Sequence, residues 1–259
     1  MHLKVEQLKY RVEDKIILKD IDMYVNPGEF IGLVGPNGSG KSTLLKNIYK
    51  VLKPTVGNIY LDDYNLNNMS NKEVSKKLAV VSQEFDSGFD FSVEEIVTMG
   101  RYPQKSFYET SNKEDREIVL NALRKVGMFD FVDRSFFSLS GGEKQRVLIA
   151  RALAQKTDFI IMDEPTNHLD IGYQIQIMDL IKDLQITTLT AIHDLNMAVM
   201  YCDRIYVMKE GKIIISGNPK DILDRALIKD VFNVDSHIRY NGMLKRIQID
   251  FISKKDRMI

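Results

Sequence analysis

The run Gly35-Pro36-Asn37-Gly38-Ser39-Gly40-Lys41-Ser42-Thr43 constrains this chain more than any other stretch. It fits G-x-x-x-x-G-K-[ST], a loop whose glycines let backbone N–H groups wrap a phosphate chain with no Cβ in the way. The apolar run Phe30-Ile31-Gly32-Leu33-Val34 before it reads as a strand, and Ser42 to Tyr49 after it reads as a helix. A helix that opens there aims its positive end at the same phosphates. In that pattern Lys41 meets the β- and γ-phosphates, and the Ser42 hydroxyl faces Mg2+. A strand feeding such a turn and helix commits the region to an α/β fold.

The rest of the chain agrees. Leu78 to Val81, Phe159 to Met162 and Thr188 to Ile192 read as further strands between amphipathic helical patterns, which predicts a parallel sheet with crossover helices. Phe159 to Met162 is apolar at every position, as a strand covered on both faces requires. Ile205 to Met208, Glu210-Gly211 and Lys212 to Ser216 read as a hairpin. From about Phe85 to Leu139 no convincing strand is visible. There Ser111-Asn112-Lys113-Glu114 reads as a capping box, with Ile118, Val119, Ala122, Leu123 and Val126 on one helical face. This stretch reads as a helical insertion in an α/β core, within one domain spanning all 259 residues.

Charge narrows the function. Lys and Arg number 36 and Asp and Glu number 36, and this balance argues against a nucleic-acid partner. Cys202 is the one cysteine, so no internal disulfide can form, and its apolar surroundings mark it as a small core residue. The start, Met1 to Glu6, is too polar for a signal peptide, and the apolar runs are too short to span a bilayer. A cytoplasmic chain is expected, with any membrane role delivered through a partner.

Two more stretches carry chemistry. Asp163-Glu164 ends an apolar strand, where open α/β sheets bind ligands. Asp163 there would hold Mg2+, and Glu164 would polarise an attacking water. Acidic residues often follow strands, so the pair gains meaning only beside Gly35 to Thr43. Leu139-Ser140-Gly141-Gly142-Glu143 has a chance occurrence of about one in two thousand by composition. Ser140 and Glu143 have capping-box spacing, yet the same helix start can offer N–H groups to an anion. Both readings stand for this stretch. His168 and His193 have no Cys or His partners at ligand spacing, which rules out a metal site built on them.

Taken in order, these residues resemble the ABC ATPases along nearly the whole chain. Gly35 to Thr43 resembles the Walker A loop, Gln83 the Q-loop glutamine, and Leu139 to Glu143 the signature motif. Phe159 to Glu164 resembles Walker B with its catalytic glutamate, Asn167 to Asp170 the D-loop, and His193 the switch histidine. Tyr10 resembles the aromatic that stacks on adenine. The resemblance implies a P-loop core with an N-terminal antiparallel β subdomain and an inserted helical subdomain at about 85–139. It implies ATP and Mg2+ as cofactors, with Ser42, Gln83 and Asp163 toward the metal and Glu164, His193 and Gln83 toward catalysis. Asp170 would serve the D-loop.

The chain has one Walker A loop and one signature motif, and in the family the signature serine contacts the nucleotide of the other subunit. A head-to-tail homodimer is implied, with integral membrane permease subunits above it and a substrate-binding protein engaged indirectly. In the family a groove beside the Q-loop accepts a short permease helix, and here that region holds Phe85, Phe89, Phe91 and Ser92 to Pro103. This segment, Thr166 to Asp170 and His193 to Asn196 resemble importers of ferric siderophores, haem and cobalamin, with ferric siderophore first. Other readings are a non-transport ABC ATPase, such as an iron–sulfur cluster assembly ATPase, or a zinc or manganese importer. Translation- and DNA-linked relatives usually carry two cassettes or a long coiled-coil insertion, and neither is visible. Lys144 follows the signature where many relatives carry Gln or Arg. The tail from Leu223 to Ile259 is too short for a regulatory domain.

Overall fold

Where apolar and polar residues alternate, the chain forms half-buried antiparallel strands; where apolar residues run on, it forms strands covered on both faces. The computed structural model describes residues 1–82, 88–105 and 112–253. The chain divides into two units, one of Met1–Asn68 with Thr187–Ile259 and one of Met69–Ile186.

The first unit opens with β1 (Leu3–Val12) and β2 (Lys15–Val25), an antiparallel pair with Leu3 opposite Val25. Alternation buries Leu3 and Val5 and leaves Lys4 in solvent, and a register shift after Val5 brings Leu8 to the buried face. Strand β3 (Phe30–Val34) is buried at all five positions and leads into α1 (Lys41–Ile48), as the loop motif requires. Strands β4 (Val56–Leu61) and β5 (Tyr64–Asn65) complete an antiparallel sheet in the order β2-β1-β4-β5. This sheet is the expected N-terminal antiparallel β subdomain.

The second unit holds α2 (Asn71–Ser75), β6 (Leu78–Val81), α3 (Val93–Thr98), a 3₁₀ turn at Met99–Gln104 and α4 (Lys113–Lys125). Helix α5 (Gly141–Ala154), β7 (Phe159–Asp163) and α6 (Ile171–Asp183) follow. Strands β6 and β7 are parallel, with Leu78 opposite Phe159. Among the described residues of 88–139, β structure is limited to an isolated Ser92–Ser135 bridge.

One detail of the helical stretch differs from the sequence reading. The capping box of α4 starts at Asn112, not Ser111: the Asn112 side chain accepts the Asp115 N–H at 2.8 Å, and Asp115 accepts the Asn112 N–H at 3.4 Å. Asn caps as well as Ser, and Asn112 has the extended backbone a cap needs. Ser111 lies outside the described residues. Val119, Ala122, Leu123 and Val126 are buried along one face, as their spacing predicts.

Asp115 also sits in a buried ion cluster. Its carboxylate meets Arg101 at 2.9 Å and Lys105 at 2.8 Å, while Arg101 donates to the Ala154 carbonyl at 2.7 Å. Burial alone disfavours this carboxylate, but the bonds from Lys105, Arg101 and the Asn112 backbone outweigh it and bring its pKa down to about 2. The cluster ties the 3₁₀ turn and α4 to the end of α5. Gly100 lets the turn lie against α5, because a Cβ there would fall 2.1 Å from the Arg151 carbonyl oxygen.

The chain then returns to the first unit with β8 (Thr187–Ala191), α7 (Leu195–Tyr201), β9 (Arg204–Lys209) and β10 (Lys212–Gly217). Strand β3 pairs in parallel with both β8 and β9, and β10 folds back antiparallel on β9 as the expected hairpin. Cys202 is buried against this sheet, its Sγ 2.7 Å from where a Gly32 Cβ would stand. The tail continues through α8 (Pro219–Ile222) and α9 (Arg225–Phe232) to a hairpin of β11 (Asp235–Asn241) and β12 (Arg246–Ile252). Asn196 of α7 holds that hairpin by exchanging two hydrogen bonds with the Ile249 backbone, at 3.0 and 2.9 Å. Among the described residues, no helix is long and apolar enough to cross a membrane.

Candidate nucleotide site

The glycine-rich loop leaves β3 at Gly35 and turns into α1 at Gly40. Its glycines answer different demands. A Cβ on Gly35 would lie 2.3 Å from the Met208 carbonyl oxygen, so the loop is pressed against β9. Gly38 has φ 77°, a conformation that favours glycine, and faces open space. Gly40 has φ 105°, and a Cβ there would meet Leu18 at 2.9 Å. Pro36 lies between these constraints, and Asn37 is exposed at the loop's crest.

Lys41 is buried at 5% exposure, and its ammonium donates to the carbonyls of Gly35 at 2.8 Å and Pro36 at 3.2 Å. The cation is thereby held over the loop. Helix α1 has no side-chain cap and no acid in its first turn, so none of its own first-turn side chains offsets its positive end. The Ser39 hydroxyl is buried and has no hydrogen-bond partner among the described residues. A buried hydroxyl donor, a buried cation and an uncapped helix start fit a phosphate chain. Ser42 and Thr43 stand on the first turn, both half-buried.

Other parts of the first unit gather round this loop. Tyr10 of β1 pairs across to Leu18 of β2, and Leu18 is the residue that packs at Gly40. Tyr10 therefore lies one strand from the loop's end, half-buried. The Ile192 N–H donates to the Leu33 carbonyl at 3.0 Å, so exposed His193 begins beside the end of β3. The β9–β10 turn is a support that sequence reasoning missed. Its Gly211 donates to the Ser39 carbonyl at 3.0 Å and accepts from Lys19 at 2.8 Å. The signal for it was present as Glu210-Gly211 between two apolar runs, but nothing local says what a hairpin turn will touch.

The second unit carries the acidic residues. Asp163 is the buried last residue of β7, and Glu164 follows in the left-handed region at φ 54°. A non-glycine residue there is strained by about 1–3 kcal/mol, and such strain clusters at functional positions. Asn167 steadies the bend: its side-chain amide donates to the Glu164 carboxylate at 3.2 Å, and its N–H donates to the Glu164 carbonyl at 3.1 Å. Asp170 then caps α6 by accepting the Tyr173 N–H at 3.0 Å.

Ser140 caps α5. Its hydroxyl accepts the Glu143 N–H at 3.4 Å, and Glu143 accepts the Ser140 N–H at 2.7 Å. The bonds from the Ser140 backbone and side chain hold the Glu143 carboxyl below the usual carboxylate range. Ser140 and Gly141 are exposed, whereas Gly142 is buried. Gly141 packs toward Leu169 and Gly142 toward the Tyr173 ring, contacts that join the start of α5 to the segment leading into α6. Neither Leu169 nor Tyr173 was expected there as a support. Gln83 and Phe85 lie outside the described residues.

The same unit has a groove of about 500 Å3 lined by Phe91, Glu94, Glu95, Thr98, Met99 and Tyr102. Tyr102 and the neighbouring Phe89 are exposed at 60% and 74%, which is unusual for large aromatic side chains. Ser92 and Glu95 form the capping box that fixes this edge of α3.

The glycine-rich loop, the capped start of α5 and the acidic end of β7 follow one another along the chain in that order. The family described as ABC transporter matches residues 18–167. The chain is 36% identical to the iron(3+)-hydroxamate import ATP-binding protein FhuC of Bacillus subtilis (strain 168), over 91% of this chain and 89% of that one. Its fold is similar to an inward-facing ABC transporter assigned to the metal-chelate type, with a TM-score of 0.86, 26% identity and 98% of each chain covered. It is also similar to the dimeric structure of MJ0796, a bacterial ABC transporter cassette, with a TM-score of 0.71 and 31% identity over 84% of this chain and 98% of that one. With the loop geometry, these likenesses place the chain in the ABC transporter family of ATP-binding cassettes.

Proposed function

We propose that this chain is the ATP-hydrolysing subunit of an importer for a metal chelate, with a ferric siderophore as first choice and haem or cobalamin next. It works as a head-to-tail homodimer, peripheral to the cytoplasmic face of a membrane and beneath integral permease subunits. A substrate-binding protein is engaged only through those permeases. The observation that carries the reading is the uncapped α1 start with Lys41 buried over a glycine turn. Likeness to FhuC supports the cargo class, and likeness to the MJ0796 dimer supports the pairing.

The roles follow from side-chain chemistry. Tyr10 offers a ring face to adenine. The N–H groups from Gly35 to Thr43 wrap the phosphates, and Lys41 neutralises the β- and γ-phosphates. Ser42, Gln83 and Asp163 supply hard oxygen donors suited to Mg2+. When bound, Mg2+ draws negative charge from the phosphate oxygens and so eases cleavage. Glu164 accepts a proton from water as that oxygen attacks the γ-phosphorus, and the bond to the bridging oxygen breaks to leave ADP and phosphate. His193 and Gln83 orient that centre, and Asp170 positions the D-loop. Ser140, Gly141, Gly142 and Glu143 meet the γ-phosphate held by the other copy. The groove edged by Phe91 and Tyr102 receives a short helix of the permease.

Glu164→Gln tests the chemistry. We expect unchanged ATP binding, a turnover drop of about 10²–10⁴-fold, and an ATP-trapped dimer on gel filtration. Normal turnover would remove Glu164 from the role of base. The partner is tested by purifying the tagged chain in mild detergent: an integral permease should accompany it. Recovery of soluble scaffold proteins instead would favour an assembly ATPase.

A further inference from the structure

The proposed function brings the Gly142 backbone close to phosphate, but this glycine also meets a wall of its own protein. It sits buried in the first turn of α5. A Cβ built on it would lie 2.5 Å from Cδ1 of Tyr173 and 2.9 Å from both Cγ and Cε1. Real Cβ contacts do not occur at such distances, so the ring rests directly on the glycine backbone. Cγ is the near end of the side chain, so the clash cannot be relieved by swinging a flexible tip. Interiors packed at crystal density transmit such a displacement to the backbone.

Tyr173 is fixed from its other side. Its N–H donates to Asp170 at 3.0 Å, in the cap of α6. Gln174, next in sequence, donates to the carbonyls of Thr166 at 3.3 Å and Leu169 at 3.0 Å. Leu169 in turn approaches to within 3.4 Å of a Cβ position on Gly141. A second tie lies farther along the same helices, where Arg146 of α5 donates to Gln176 of α6 at 2.7 Å. The D-loop segment and the signature turn are thereby one packed body, with the Tyr173 ring as its wedge.

We infer that Tyr173 is a positioning residue: its ring, seated on Gly142, holds the Ser140–Glu143 turn in register with Asn167–Asp170 so that both reach the nucleotide together. This rests on the reading of Ser140 to Glu143 as a phosphate-binding turn. The ring supplies the contact, so Phe replaces Tyr173 without loss and smaller residues do not.

The test is steady-state ATP turnover by the full chain, with ATP affinity and melting temperature measured for each variant. Tyr173→Phe should keep kcat within about twofold of the parent, while Tyr173→Ala lowers it by about ten- to a hundredfold at unchanged ATP affinity. Gly142→Ala should lower kcat at least as far. Gly142→Ala combined with Tyr173→Ala should be no worse than Gly142→Ala alone, because removing the ring frees the space that the new methyl needs. Parent-like turnover by Tyr173→Ala, or deficits that multiply in the double variant, overturns the proposal. Should Gly142→Ala not fold, the contrast between Phe and Ala at position 173 decides it. Ser140→Ala separates the two layers. Undiminished turnover there overturns the phosphate role of the turn and this proposal with it. Lost turnover by Ser140→Ala beside multiplying deficits overturns the wedge alone.

Discussion

Helix α1 starts on Gly40 and helix α5 on Ser140, each within a stretch rich in glycine and serine, yet they treat their first N–H groups in opposite ways. The α1 start has a left-handed glycine cap, no side-chain cap and no acid in its first turn. The α5 start is closed by its own residues, with Ser140 and Glu143 each accepting the other's N–H. An anion meets donors at α1 with no capping side chain to displace. At α5 it meets a carboxylate already in place, which must yield or move before a phosphate oxygen can use those donors. Under the proposed function, the difference suits one start to lasting possession of a nucleotide and the other to a contact made and broken in each cycle.

The largest expected effect that separates them comes from Lys41→Ala. It removes a buried cation from the open start, and loss of about 2 kcal/mol of charge-assisted hydrogen bonding lowers ATP affinity by about 30-fold. Nucleotide titration of the purified chain measures this, and unchanged affinity would break the comparison at its stronger end. Ser140→Ala should leave that titration within about twofold while cutting turnover by about tenfold, since one hydrogen bond to a charged phosphate is worth about 1.5 kcal/mol. A loss of affinity equal to that of Lys41→Ala would erase the distinction between the two starts. Mixing a Lys41 variant with a Ser140 variant sharpens it further: recovered activity means that one site in the mixed dimer carries neither change. Ser140→Ala should also cost about 1 kcal/mol of stability through the lost cap, or about 2–4 °C in melting temperature.

The smallest effect is in acid. The carboxyl of Asp115 has a pKa of about 2 against an ordinary 3.8, and Asp115 belongs to the capping box of α4. The folded chain therefore binds fewer protons than the unfolded one in that window. The stabilisation is complete above about pH 3.8 and is lost as pH falls toward 2. Glu143 follows the same sign, its carboxyl lowered by Ser140. As pH falls from about 3.8 toward 2, hydrogen exchange should show the starts of α4 and α5 loosening before that of α1, whose first turn has no acid to protonate. Uniform loosening of all three starts would contradict the contrast.

Much of the site was legible because its signals are local. Gly35 to Thr43 specifies a strand, a turn and a helix within a few residues, and Phe159 to Glu164 specifies a covered strand ending in acid. The capping box at Ser140 was readable for the same reason. The α4 cap was read one residue early because Ser111 and Asn112 are equal candidates until the backbone chooses. The tail hairpin of β11 and β12 went unread. Its place depends on the Asn196 side chain, 53 residues away from Ile249 in sequence.

The sequence by itself determined the chemistry: which residues carry donors, cations and carboxylates, and at what spacing along helix and strand. Local rules suffice for that, since capping, periodicity and turn preference act over a few residues. Only the tertiary structure decided what holds those groups still. Met208 against Gly35, Gly211 against Ser39 and Tyr173 against Gly142 are contacts between residues distant in sequence. Shape and packing select such contacts, and neither leaves a pattern in either partner's neighbourhood.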